Sequence, residues 1–347
     1  MAEAESPSPL TIEGIPLRRL RDLAETTATV GAAAASGVFA GLTDGPGDPD
    51  ALARRLDLDR RAMGILLPVL EELELLRRDG EGRYALTDAA RRHLADPDSP
   101  AYEGGGLPLW LRNLRAFARL PEVLAEGGPL ESEPQADEEA EDDGERTLAT
   151  FMAAMASAPR ERIERLADRC LERLVGADDR PLRLLDLGGG PGKMSRIFVD
   201  RGMEAVLFDR PETVAYVAQA YGLAEEPRIE LVGGDFLEDP LPEGPFDVAL
   251  LSNVVHIYGP DTNRRLLEKA AGSVRPGGVA AVADFVRGRS ARAARFALVM
   301  LMKSDEGNTY SEEEIGGWLR DAGFRDPVCA AIDEDRHVIT AVREQRA

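Results

Sequence analysis

The clearest chemical pattern in the chain is a glycine-rich turn between a buried strand and a helix. It reads Leu184-Leu185-Asp186-Leu187-Gly188-Gly189-Gly190-Pro191-Gly192-Lys193. Glycines let the backbone approach a ligand, and the first turn of the following helix presents free N–H groups. A dinucleotide turn needs its third glycine where Lys193 stands, and a phosphate loop needs serine or threonine after that lysine, where this chain has methionine. The remaining pattern is one acid and three alternating glycines: Asp186, Gly188, Gly190 and Gly192.

Two more acids follow the next two predicted strands. Asp209 comes at the end of strand 205–208, where its carboxylate can accept both hydroxyls of a ribose. Asp235 follows strand 229–232 and can accept the amino group of adenine, while the neighbouring Phe236 offers an apolar surface to the ring. Either acid alone is compatible with an ordinary loop of an acidic protein. Because all three features occur in order on one sheet, they predict a site for an adenosyl cofactor.

His256 and Asp284 are the candidate groups for proton transfer. His256 comes just after predicted strand 248–251, where ligands bind in open α/β sheets. An imidazole titrates near neutral pH and can accept the proton of a hydroxyl group. Asp284 lies at the end of the next predicted strand, 279–285, and can hold the imidazole in the required tautomer. A purely structural histidine is the alternative.

The elements that position these residues alternate between strand and helix from about residue 182. This order predicts an α/β fold with a doubly wound, mostly parallel, Rossmann-like sheet over residues 181–347. A final hairpin, 327–332 and 337–343, is expected to add an antiparallel strand at the edge of the sheet.

Residues 11–106 have the pattern of a winged helix. The predicted elements are helices at 30–42, 51–56 and 60–76, a hairpin of 75–77 with 84–86, and a last helix that starts at Thr87-Asp88. A winged helix can read DNA with its second helix. Here that helix carries Glu71, Glu72 and Glu74 and no basic stripe, which favours dimerisation or a structural role.

The first ten residues are expected to be disordered, and residues 107–180 to form a helical linker or substrate cap. An acidic loop is predicted at 131–145 within this linker. Candidate residues on the acceptor side come from the helix after this loop and from the C-terminal region, although core packing explains them equally well. They are Phe151, Met152, Met155, Phe296, Met300 and Tyr310.

Composition restricts the possible partners. The formal net charge of −21 repels phosphate backbones and anionic lipids, which argues against nucleic acid or a membrane as the main partner. The two cysteines, Cys170 and Cys329, are far apart, and the three histidines are scattered, so no disulfide and no metal site is expected. The N-terminus lacks the pattern of a signal peptide and no stretch is long enough to cross a bilayer, so we expect a cytoplasmic protein.

From about Arg21 onward the chain resembles the small-molecule O-methyltransferases of the plant caffeate and animal hydroxyindole type and their bacterial relatives. The segments that carry the resemblance are Ser36-Gly37-Val38-Phe39, Tyr84-Ala85-Leu86-Thr87, the glycine turn, Gly234-Asp235-Phe236 and Arg275-Pro276-Gly277-Gly278. The resemblance implies a class I methyltransferase fold, S-adenosylmethionine as the methyl donor, and a homodimer formed through the N-terminal domain.

The resemblance also assigns roles to individual residues. Asp209 matches the ribose-binding acid, Asp235 and Phe236 match the adenine contacts, and Ser252 matches a polar contact near the methionine end of the cofactor. His256 matches the catalytic histidine and Asp284 its first supporting acid.

Two departures from the family pattern bear on the chemistry. The usual His-Asp-Trp is here His256-Ile257-Tyr258, and the second supporting glutamate of the plant enzymes falls near Asn308-Thr309. Glu306 is the nearest acid. Oxygen is the expected acceptor atom, and these departures leave carbon, nitrogen or sulfur open. A nicotinamide oxidoreductase and a winged-helix regulator that senses the cofactor without turnover are the competing interpretations.

Overall fold

The computed structural model describes residues 11–99, 101–129, 140–176 and 180–344. The predicted disorder of the first ten residues lies outside these ranges. The chain divides into two compact units, Met1–Arg115 and Ala116–Ala347. Within the described ranges, no helix has the length and apolar character needed to cross a membrane.

The N-terminal unit contains the helix pair and the hairpin of a winged helix. Its elements are β1 (Thr11–Ile12), β2 (Ile15–Pro16), α1 (Leu20–Ala35), α2 (Pro49–Arg55), α3 (Arg60–Glu72), β3 (Leu76–Arg78), β4 (Tyr84–Leu86) and α4 (Asp88–Ala90). Strands β3 and β4 pair in antiparallel register. Asp48 and Asp59 cap α2 and α3, since their carboxylates accept N–H groups of the first turn.

Two predicted helices of this unit have different ends in the structure. The helix predicted at 30–42 is instead the end of α1, which stops at Ala35 because Gly37 takes a left-handed conformation with φ of +72°. The helix predicted at 60–76 stops at Glu72, since Glu74 is also left-handed at φ +58°. Leu76, which continues the apolar period of α3, therefore belongs to the hairpin.

Four helices precede the sheet: α5 (Leu107–Ala118), α6 (Leu120–Glu126), α7 (Ala140–Ala156) and α8 (Arg160–Leu171). The prediction of an acidic loop over 131–145 is wrong for its last part, because α7 begins at Ala140. Alanine and glutamate are good helix formers, so the acidic composition does not prevent a helix there. Residues 131–139 of the predicted loop lie outside the described ranges.

The C-terminal unit contains a seven-stranded sheet in the order β10-β11-β9-β8-β5-β6-β7. The strands are β5 (Arg183–Leu187), β6 (Glu204–Asp209), β7 (Ile229–Gly233), β8 (Phe246–Ser252), β9 (Val274–Asp284), β10 (Phe324–Ala331) and β11 (His337–Arg343). Strands β5 to β9 are mutually parallel, and β11 is antiparallel to both of its neighbours. The predicted fold class is confirmed. The antiparallel strand β11 is not itself the edge strand, because β10 pairs with its outer side.

Helices cover both faces of the sheet, with α8, α9 (Lys193–Asp200) and α10 (Pro211–Ala220) on one face and α11 (Pro260–Ser273) and α13 (Glu312–Asp321) on the other. Helix α12 (Ala291–Leu301) contacts the 3-10 turn Val255–Ile257. Along β5, Leu185 and Leu187 belong to the apolar core on one side and Leu184 to the core on the other. Strands buried on both faces are mostly apolar, as β5 and β8 are.

Because the five strands β5 to β9 are parallel, their carboxyl ends meet at one edge of the sheet.

Candidate functional site

The turn between β5 and α9 is built so tightly that only glycine fits. Gly188 and Gly192 have φ of +72° and +70°, a region that other residues rarely adopt. A Cβ atom on Gly188 would lie 2.9 Å from a methyl carbon of Val254, and one on Gly192 would lie 2.7 Å from the side chain of Leu223. The turn can therefore bring bare backbone against a ligand.

Asp186 is buried against this turn, with 1% of its surface exposed. Its Oδ2 accepts a hydrogen bond of 2.7 Å from the Ser195 hydroxyl. Burial raises the pKa of Asp186 to about 6, although the bond from Ser195 acts in the opposite direction. Its Oδ1 is also buried and finds no donor within the described part of the chain. An unmatched carboxylate oxygen at this place suits a ligand that carries a cationic or hydrogen-bonding group.

Asp209 links the end of β6 to the glycine turn. Its Oδ2 accepts the Gly190 N–H at 2.9 Å, and its Oδ1 accepts the Arg210 N–H at 2.8 Å. Burial raises the pKa of Asp209, and these two N–H groups act against the rise. Each carboxylate oxygen has more than one lone pair, so both oxygens can accept a further hydroxyl group.

Asp235 and Phe236 follow β7. Asp235 is exposed, and its Oδ1 accepts the Leu237 N–H at 2.8 Å. Phe236 is 8% exposed, and its ring lies edge-on to that of Tyr258 with 6.1 Å between centroids. Lys269 fixes this loop, because its ammonium donates to the carbonyls of Phe236 at 2.9 Å and Leu237 at 3.0 Å. Ser252 lies half-buried at the end of β8.

The structure brings His256 and Asp284 together at the ends of the adjacent strands β8 and β9. His256 Nδ1 lies 2.8 Å from Oδ1 and 2.9 Å from Oδ2 of Asp284. A carboxylate accepts hydrogen bonds, so this contact favours the tautomer that has its hydrogen on Nδ1 and a free lone pair on Nε2. The ring of Phe296 lies edge-on to the imidazole with 4.9 Å between centroids. His256 is 7% exposed, and Asp284 and Phe296 together hold its imidazole in one orientation.

Glu306, the nearest acid, and Asn308, at the place of the second supporting glutamate, both contact other residues. The Glu306 carboxylate accepts the Gly259 N–H at 3.2 Å. Asn308 donates its backbone N–H to the His256 carbonyl at 2.9 Å. Both residues therefore contact the main chain around His256.

The predicted acceptor-side residues lie on α7, on α12 and just before α13. Met152 is 3% exposed, and its sulfur lies 3.7 Å from the place that a Cβ on Gly190 would occupy. Phe151 and Met155 share α7 with it, but Phe151 is 42% exposed. Met300 is buried on α12. Tyr310 is buried, and its hydroxyl donates to the Tyr258 carbonyl at 2.6 Å.

Sequence reasoning missed several residues around the site. Asn263 is fully buried, and its Nδ2 donates at 2.9 Å to the carbonyls of Val255 and Tyr258. The sequence signal that could have identified Asn263 is its position as a polar residue on the apolar face of α11. The Arg336 guanidinium lies 4.1 Å from the centroid of the Phe285 ring. Burial lowers the pKa of Arg336 to about 10. The loop between β10 and β11 gave no sequence signal for this position.

Comparisons with known proteins agree with this geometry. A family model described as an O-methyltransferase domain matches residues 139–325. The chain is 29% identical over 299 residues to the tetracenomycin polyketide synthesis 8-O-methyl transferase TcmO of Streptomyces glaucescens, covering 81% of this chain and 82% of that protein. The N,N-dimethyltransferase OxyT of Streptomyces rimosus is 26% identical, with 86% of each chain covered. The crystal structure of human N-acetylserotonin methyltransferase in complex with SAM superposes with a TM-score of 0.79 at 25% identity, covering 95% of this chain and 97% of that one.

Proposed function

Because the chain belongs to the O-methyltransferase family and is an S-adenosylmethionine-dependent enzyme acting on small molecules, we propose that His256 is its general base. The acceptor would be a hydroxyl group, and Asp284 would hold the base in the productive tautomer. The observation that supports this proposal is the contact of His256 Nδ1 with both oxygens of Asp284, at 2.8 and 2.9 Å.

The residues that would hold the cofactor are those of the strand ends. The glycine turn, Gly188 to Gly192, would lie against the methionine part, and the unmatched Oδ1 of Asp186 fits its ammonium group. Asp209 would accept the ribose hydroxyls, Asp235 and Phe236 would contact the adenine, and Ser252 would make a polar contact near the methionine end. When bound, the cofactor supplies an electrophilic methyl group on a sulfonium.

The protein's own contribution to the reaction would be position and proton transfer. His256 Nε2 would accept the hydroxyl proton while the oxygen attacks the methyl group, and Asp284 would stabilise the imidazolium that forms. Phe296 packs against the imidazole and leaves it little freedom to rotate. General-base catalysis of this kind contributes on the order of 10²- to 10⁴-fold to a rate.

On the acceptor side we propose Met152 and Phe296, since Met152 lies beside Gly190 of the glycine turn and the Phe296 ring contacts the base. Phe151, Met155 and Met300 lie on the same two helices and complete this proposal. Following the family resemblance, we further propose a homodimer formed through the unit Met1–Arg115, which size-exclusion chromatography with light scattering would test.

A second candidate acceptor is an amine, because the similarity to OxyT extends over most of both chains. An amine that is already neutral needs no base before it attacks the methyl group. Substitution of His256 would then leave the rate nearly unchanged, which separates this candidate from O-methylation.

The test is a screen of phenols and amines with labelled S-adenosylmethionine, read by mass spectrometry for the gain of one methyl group. With a phenolic substrate we expect His256→Gln to lower turnover by roughly 100-fold or more, with unchanged affinity for S-adenosylhomocysteine. His93→Gln, in the N-terminal unit, is the matched control and should keep full activity. Intact turnover of a phenol by His256→Gln would contradict the assignment of the base.

A further inference from the structure

The main chain around His256 is held by a network of donors from outside its own segment. His256 lies in a single 3-10 turn, Val255–Ile257, which is too short to fix its own position. Each of the four carbonyls from Val255 to Tyr258 accepts a hydrogen bond from α11 or from the segment before α13. We call residues 304–310, which lie between α12 and α13, the bracket segment.

The bracket segment supplies donors to three of these carbonyls. The Ser304 hydroxyl donates to the carbonyl of Ile257 at 2.6 Å, and the Tyr310 hydroxyl donates to that of Tyr258 at 2.6 Å. Between them, the backbone N–H of Asn308 donates to the carbonyl of His256 itself at 2.9 Å. The fourth carbonyl, that of Val255, accepts from Asn263 of α11, which also donates to the carbonyl of Tyr258.

The two segments also pack closely, and at Gly307 the neighbouring backbone leaves no room for a Cβ atom. A Cβ atom on Gly307 would lie 2.8 Å from the His256 carbonyl oxygen, and one on Gly259 would lie 2.7 Å from a Glu306 oxygen. Glu306 in turn accepts the Gly259 N–H. The Tyr310 ring is anchored from behind, since it lies edge-on to Trp318 with 4.7 Å between centroids.

Buried backbone carbonyls need hydrogen-bond donors in every protein, so the presence of donors here does not by itself indicate a special role. What distinguishes this site is that one short segment serves three consecutive carbonyls, and that the first of them belongs to the proposed base. Asp284 fixes the rotation of the imidazole, but it does not fix the backbone from which the imidazole projects. The bracket segment acts on that backbone.

We propose that Ser304 and Tyr310 are positioning residues that hold the His256 imidazole in place through its main chain. They act where the family resemblance leads one to expect a second supporting acid, near Asn308-Thr309. This proposal rests on the proposed function of His256. A displacement of a catalytic group by less than 1 Å costs reaction rate without a comparable cost in cofactor binding.

The experiment compares Tyr310→Phe and Ser304→Ala with wild type. Each variant removes one hydroxyl, and Tyr310→Phe keeps the ring on Trp318. Tyr216→Phe, which removes a hydroxyl from α10, is the matched control. The readouts are calorimetric affinity for S-adenosylhomocysteine, turnover of the acceptor found by the screen, and the NMR signal of the His256 Nδ1–H proton. With only three histidines in the chain, this signal can be assigned by substituting each one.

We expect each variant to broaden the Nδ1–H signal of His256 and to lower turnover about 10-fold, which corresponds to the loss of one hydrogen bond. Affinity for S-adenosylhomocysteine should stay within about twofold, because the glycine turn is untouched. The proposal is overturned if both variants keep the wild-type signal and turnover, or if Tyr216→Phe reproduces their effect. The NMR signal reports the position of the imidazole and does not depend on which reaction the enzyme catalyses. If His256 is not the base, this will be seen as unchanged turnover of the His256→Gln variant, and not in the NMR signal.

Discussion

The substitution Asp186→Asn should stabilise the ligand-free protein while weakening its hold on the cofactor. Asp186 is 1% exposed, and burial raises its pKa from 3.8 to about 6, against the opposing hydrogen bond from Ser195. A shift of about two pKa units corresponds to roughly 3 kcal/mol, which is the cost of keeping this carboxylate ionised in the folded protein at neutral pH. An asparagine does not carry this cost, and its side-chain oxygen can still accept the Ser195 hydroxyl.

The pH dependence gives the prediction its sign. Between pH 3.8 and about 6 the folded protein keeps a proton on Asp186 that the unfolded chain has released. The cost of the buried carboxylate therefore grows as the pH rises through this window and is complete above it. The advantage of Asp186→Asn over wild type should be largest above pH 6 and should fade as the pH falls toward 4.

The assay is urea unfolding of both proteins between pH 4.5 and 7.5, with calorimetric titration of S-adenosylhomocysteine at pH 7.5. We expect the variant to gain up to about 3 kcal/mol at pH 7.5. Its affinity for the ligand should drop roughly 10- to 100-fold, because a hydrogen bond between charged groups is lost. Asp261→Asn is the matched control, since the Asp261 side chain is 94% exposed.

Two results would refute this reasoning. A variant that is no more stable than wild type at pH 7.5 would show that Asp186 is not a strained buried carboxylate. A stability gain with undiminished affinity for S-adenosylhomocysteine would show that the unmatched Oδ1 does not face the cofactor.

Three further predictions concern other parts of the C-terminal unit. Asp247→Asn should cost roughly 3–5 kcal/mol in urea unfolding, because it leaves the Arg275 guanidinium buried without its carboxylate partner. Burial of Asp247 acts to raise its pKa, but the hydrogen bond from Arg275 helps to lower it below the usual value. The greater stability of the wild type over Asp247→Asn should therefore persist at neutral pH and disappear in strong acid. Phe296→Ala should lower turnover roughly 10-fold, with unchanged affinity for S-adenosylhomocysteine, because the His256 imidazole loses its ring contact. Lys193→Met should raise amide exchange at the carboxyl end of α7 by on the order of 10-fold, since the ammonium donates to two carbonyls there, and Lys193→Arg is the control that keeps the charge.

Most of the fold followed from local sequence patterns. Strands such as β5 and β8 are mostly apolar, with one aspartate each, and a strand of this kind is typically buried on both faces. The element ends were less predictable. The apolar period of α3 continues through Leu76, and only the left-handed backbone of Glu74 ends the helix before it. A single residue in an unusual conformation leaves no periodic trace.

The strand ends of the site were predictable for a topological reason. In a parallel sheet all carboxyl ends lie at one edge, so an acid after β6 and a histidine after β8 must lie near the glycine turn. This logic applies only to residues that directly follow strands. It therefore finds Asp209, which reaches Gly190, and His256, which reaches Asp284.

The residues that hold the histidine segment lie beyond that logic. Ser304 and Tyr310 are about 50 positions from the carbonyls they bind, on a connection between two helices, and α12 itself was not predicted. A hydroxyl that binds a backbone carbonyl places no demand on the identity of its partner, so no pairing of residue types could reveal the contact. The chemistry of this site depends on side chains whose types and spacing can be recognised in the sequence. The exact position of the His256 imidazole depends instead on main-chain contacts that the sequence pattern does not reveal.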